Sequence, residues 1–146
     1  MSPTLLFAAL ALSTAAPKLK DPPRAESLIV GRWEVVKWTQ SGSEMAFAEN
    51  TVHDYTADGK RVIRRGDSAE DGERRFELVP KDGPLAVDLH RVLDGMSDHY
   101  RGIYKVEKDT MQLCIGRPGG DRPTAFESTA DNGWILMTFK RAARKE

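Results

Sequence analysis

The residues of this chain best suited to chemistry near neutral pH are His53, His90 and His99. With a type I′ turn at Asp94-Gly95, His90 falls opposite His99 on neighbouring strands. Two imidazoles at that distance can share a zinc ion, with His53, Asp54 or Asp98 as third ligand. The same register puts both rings on the face opposite Leu89 and Tyr100, so they are expected to face water and no metal site is assigned. His53-Asp54-Tyr55 has acid–base side chains, but neighbours within a strand point to opposite faces. The chain has no Gly-any-Ser-any-Gly elbow, phosphate-cradling glycine loop or paired-cysteine metal motif. No serine has an evident histidine partner, so no catalytic residue and no cofactor is assigned and the expectation is a protein that is not an enzyme.

Arg117 and Arg122 flank Gly119-Gly120, whose backbone amides are a candidate anion nest. The favoured reading of the same segment is a long hairpin connection stiffened by Pro118 and Pro123. Cys114, the single cysteine, excludes an intrachain disulfide and permits, without requiring, a linked dimer, so oligomeric state stays open. Its register opposite Ile103 puts it on the outer face, where packing rather than reactivity is expected.

The elements that position these residues are strands. From Leu28 onward, short alternating segments are separated by Gly, Asp and Pro, with no helical stripe longer than two turns. The Asp94-Gly95 turn sets Leu89 opposite Tyr100, Val87 opposite Gly102 and Leu85 opposite Tyr104 on one face. Arg91 with Asp98 and Asp88 with Arg101 are read as the charged pairs of the other face. A turn at Lys108-Asp109 places Val106 across from Met111 and Tyr104 across from Leu113. Asn132-Gly133 is expected to pair Phe126 with Phe139, Ser128 with Met137 and Ala130 with Ile135. The Pro80 to Pro84 loop is expected to join Phe76 to Val87 and Leu78 to Leu85, and Asp58-Gly59 to make a hairpin from Thr51 to Gly66 whose inward face is open. The sum is an all-β, antiparallel up-and-down meander of about eight strands, which closes into a barrel because closure removes exposed edges.

Length and composition allow one domain: 146 residues, 40% hydrophobic and 30% charged, with 22 basic and 22 acidic side chains. A net charge of zero gives no basic excess for phosphates, so nucleic acid is not expected as a partner. Met1 to Ala15 has the outline of a signal peptide, with an apolar Leu5 to Leu12 and small residues before Pro17; a buried N-terminal helix is the rival, since the n-region lacks Lys and Arg. Export to the periplasm, envelope or medium is therefore expected, with a linker over 16–27, a domain over 28–141, a basic tail over 142–146 and no integral span in the mature chain.

Gly31-Arg32-Trp33 near the start and Lys140-Arg141 near the end resemble the glycine-any-tryptophan and terminal-arginine signature of lipocalins and their relatives. The resemblance implies that Gly31, Trp33 and Arg141 close one barrel end, the basic group lying across the indole. Arg141 shares a strand face with Ile135, Met137 and Phe139, as that role requires. The chain is also similar, from Leu28 to Arg141, to an uncharacterised bacterial family of secreted lipocalin-like domains. The motifs that carry this likeness are Gly102-Ile103-Tyr104, Leu113-Cys114 and the run from Pro118 to Phe126; at Glu107-Lys108-Asp109 the family often has glycine in the turn. The likeness implies fold and export and brings no established activity.

Function is then expected in the barrel interior. Trp33, Val35, Tyr104, Met111, Leu113, Phe126, Met137 and Phe139 would line it, either holding a flat apolar molecule or filling the space, with Arg117 or Arg122 at the mouth. Ser41 to Asn50, with Ser41 and Glu44 at capping-box spacing, is a candidate lid. Two functions follow: a module binding a small hydrophobic or amphiphilic ligand outside the cytoplasm, or a ligand-free envelope domain that contacts protein or polysaccharide.

Overall fold

Alternating burial runs through the strands of the computed structural model, which describes residues 28–80 and 83–142. The expected signal peptide, the whole of the linker over 16–27 and all of the basic tail except Ala142 lie outside the described residues. The elements are β1 (Gly31–Gln40), β2 (Ser43–Glu44), β3 (Thr51–Tyr55), β4 (Arg61–Arg65), β5 (Ser68–Ala69), β6 (Glu73–Val79), β7 (Leu85–Leu93), β8 (Met96–Glu107), β9 (Thr110–Ile115) and β10 (Ile135–Arg141). All belong to one antiparallel sheet in the order β5-β4-β3-β1-β10-β9-β8-β7-β6, with β2 appended to β1. The sheet curls into a barrel-like form. Its edges touch at the Lys60–Arg75 bridge, where Phe76 N–H donates to Gly59 O at 2.9 Å, and among the described residues no ladder continues the seam.

The Asp94-Gly95 hairpin has the expected register, and both turn residues have positive φ (52° and 77°), as a type I′ turn demands. The Lys108-Asp109 hairpin also pairs as read, with Lys108 itself at φ 53°, the conformation in which glycine is the easier residue. Asp58-Gly59 joins β3 to β4, and the face left open resolves with Thr51, His53 and Tyr55 buried inward.

Four readings are corrected. β10 pairs with β9, Ile135 opposite Ile115, Met137 opposite Leu113 and Phe139 opposite Met111, and there is no Phe126 strand. Asn132-Gly133 fails as a hairpin because the Asn132 side chain turns the chain instead: its Oδ1 accepts from Thr129 N at 3.0 Å and Trp134 N at 2.9 Å. Phe76 meets Leu89 and Leu78 meets Val87, a shift of two residues that leaves each on its expected face and so is invisible to alternation. Arg91 lies two residues beyond Leu89 and joins the inner row with Asp98, leaving Asp88 and Arg101 outside. Ser41-Gly42, both with positive φ, form the tight turn from β1 to β2, so the capping-box spacing starts no helix.

The core fills the half of the curl nearest the Lys108-Asp109 turn. Trp33, Tyr104, Met111, Leu113 and Phe139 are fully buried there, joined by Val87 and Tyr55. Ala86, Ile103 and Cys114 are also buried although they point outward, because residues 116–134 cross the outer face of β7, β8 and β9 as a strap. Burying both faces of three strands gives a chain without disulfides more apolar contact than the curl alone.

Candidate functional site

At the filled end, Trp33 and Arg141 are direct cross-strand partners. The guanidinium carbon lies 3.9 Å from the indole centroid, and the Trp33 Nε1–H donates to Ile29 O at 2.8 Å. Arg141 also donates to Val30 O at 3.0 Å and Leu28 O at 3.3 Å, tying the last strand to the residues before the first. Gly31 is required beside it: φ is 134°, and a Cβ would stand 2.6 Å from Arg141 Nη1. This cluster ties β1 to β10 and packs that end of the sheet, with Trp33 fully buried.

The space lies toward the opposite end, in a cavity of about 190 Å³. Val35, Leu89, Ile115, Ile135 and Met137 form its apolar side, with the Trp38 and Tyr100 rings. Its polar side carries Arg61 and Arg65 from β4, Arg74 from β6 and Arg91 from β7, with His53 and Glu70. Trp38 reaches it through a bulge: Val35 pairs with Phe139 and Lys37 with Thr138, so Val36 is extra and Trp38 joins Met137 on the inner row.

The cations are unequally satisfied. Glu70 binds both Arg65 and Arg74, the latter at 2.9 Å, and Asp98 binds Arg91. Arg61 has no acidic partner among the described residues, and its Nε is buried without a hydrogen bond. Trp38 Nε1 and His53 Nδ1 are likewise buried and unpartnered. Burial, reinforced by the charges of Arg61, Arg74 and Arg65, pushes the His53 pKa well below its ordinary value, so the ring is neutral and adds an uncharged polar edge. Burial also lowers the Arg74 pKa, against the opposing pull of Glu70.

Of the residues nominated from sequence, Val35 and Met137 line this cavity. Trp33, Tyr104, Met111, Leu113 and Phe139 are inside but belong to the packed end. Phe126 sits outside beneath Lys105, whose Nζ is 5.0 Å from the ring centroid. Arg122 lies on the outer face, donating to Val87 O and Gly102 O and pairing with Asp88 at 2.8 Å, while Arg117 lies against Gly133. The Gly119 and Gly120 amides already donate to His99 O and Arg117 O, so they form no nest. His90 and His99 do face each other, with rings stacked at 4.6 Å and 10°, an arrangement that aims their nitrogens sideways rather than at one ion. Among the described residues no group of three His, Cys, Asp or Glu side chains gathers as a metal would need.

The arginine-lined wall escaped the sequence reading, although its signal is present. Arg61-Val62-Ile63-Arg64-Arg65 and Arg74-Arg75-Phe76 each place arginine two residues from an inward apolar side chain. Among the described residues, no helix is long and apolar enough to cross a membrane. The chain matches no known family model, no curated protein and no solved structure.

Proposed function

We propose that this protein is a non-enzymatic, exported, lipocalin-like module that holds one small amphiphilic molecule in the cavity at the barrel end opposite Trp33. In this reading the curled sheet acts as a closed calycin-type barrel, with the Trp33–Arg141 cluster as its rigid floor. The observation that carries it is a cavity of about 190 Å³ that is apolar on one side and on the other presents buried N–H groups with no partner. Unpaired buried donors cost roughly 1–3 kcal/mol each, a cost a bound acceptor removes. Tight packing a few residues away makes the gap a local feature of this wall.

Native mass spectrometry of protein purified from its own host tests this. A small bound mass that disappears when Met137→Trp fills the cavity supports the binding role. A consistently bare chain counts against it and favours the envelope domain that works through its surface.

A further inference from the structure

Building on that binding role, we infer that the occupant is a monocarboxylate, its carboxylate held by Arg61 and the Trp38 indole N–H and its apolar body lying along Leu89, Ile115 and Met137. The charge balance of the wall points to an anion. Four guanidiniums face the cavity against two acidic groups that touch them, Glu70 and Asp98. Glu70 and Asp98 are committed to Arg65, Arg74 and Arg91, so Arg61 is the cation without a counter-charge. A guanidinium kept in a partly dry space stays charged and must find an anion or water there.

The orphan groups specify what that anion offers. Arg61 Nε and Trp38 Nε1 are donors only, so they exclude a cation and call for an acceptor. A carboxylate presents two oxygens in the plane a guanidinium fork recognises. A single uncompensated arginine beside an apolar wall fits one such head group carrying a hydrocarbon tail. The cavity volume restricts the tail to a short one.

Calorimetric titration of the full chain with octanoate, octan-1-ol and inorganic phosphate tests the inference. Octanoate is expected to bind at least about tenfold more tightly than octan-1-ol, the difference one charge-assisted hydrogen bond makes. Arg61→Gln is expected to remove that preference, and Trp38→Phe, which deletes the N–H and keeps the ring, to reduce it. The unliganded R61Q protein should unfold close to the temperature of its parent, because the change forfeits a contact with the Tyr55 hydroxyl but no ion pair among the described residues and no hydrogen bond at Nε; a clear loss of stability would make Arg61 structural and overturn the assignment. If R61Q does not fold, W38F decides through the same comparison. Equal affinity for acid and alcohol overturns the carboxylate while leaving the binding role intact. Phosphate binding without octanoate also overturns it, and binding of none of the three rejects the carboxylate and leaves the binding role to the mass measurement.

Discussion

Glu70 and Arg74 meet at 2.9 Å where the sheet has run out of ladder. The same carboxylate reaches Arg65 on the opposite edge, so one acidic side chain ties β4 to β6 beyond the Lys60–Arg75 bridge. Arg74 is 8% exposed, and losing its partner would strand a buried cation. Glu70→Gln is therefore expected to lower stability by about 1–2 kcal/mol, the half-exposed Arg65 contact adding little. Urea unfolding would show it as a lower midpoint with an unchanged slope. An equal loss in Arg65→Gln would place the stabilisation on the wrong arm of the pair.

The Trp33–Arg141 contact should behave as a coupled unit. Arg141→Met retains much of the side-chain bulk and removes the charge and both carbonyl contacts, with an expected cost of about 2–3 kcal/mol. In a double-mutant cycle with Trp33→Phe, a coupling near 1 kcal/mol is expected, the part owed to the cation over the larger ring. Strict additivity would mean that Arg141 acts through the Leu28 and Val30 carbonyls alone.

The Trp33–Arg141 contact was legible only through the resemblance of Gly31-Arg32-Trp33 and Lys140-Arg141 to a lipocalin signature, whereas the β7–β8 and β8–β9 registers were legible because their turns fix them by their own chemistry. The cavity was not, for three physical reasons. The bulge at Val36 reverses the parity that Trp33 and Val35 establish, so alternation puts Lys37 inside and Trp38 outside. Arginine is ordinarily an outward residue, so Arg61, Arg65, Arg74 and Arg91 read as surface although their positions are inward. Asn132-Gly133 carries the strongest hairpin signal in the chain, but local side-chain hydrogen bonds to Thr129 and Trp134 hold a different turn and leave 116–134 free to cross the sheet as a strap.

His53 gives the cavity wall a pH signature. Its folded pKa lies below the unfolded value near 6.5, so above that pH neither state carries the proton and His53 contributes nothing. Below it the unfolded chain takes up a proton that the folded chain refuses. Stability is therefore lost as pH falls through 6.5, with a slope of at most about 1.4 kcal/mol per pH unit until the folded pKa is reached. His53→Gln cannot titrate, so the stability difference between parent and variant should move against the parent from pH 7 to pH 5. A constant difference across that range would mean that the ring is protonated equally in both states.

The strap supplies the last prediction, with Cys114 as reporter. The thiol is fully buried on the outer face, donates to Glu127 O at 3.4 Å, and burial pushes its pKa up, so it should react slowly with a thiol reagent under native conditions. Arg122 fastens the same segment through Val87 O, Gly102 O and Asp88. Arg122→Ala leaves two carbonyls and a carboxylate without that donor, an expected cost of about 1–3 kcal/mol. If the strap opens as a unit, Cys114 labelling should accelerate by more than the global loss of stability explains, while the Trp33–Arg141 end stays packed. Acceleration matching the global loss would show that strap and sheet open only together, making residues 116–134 part of the core rather than a cover laid over it.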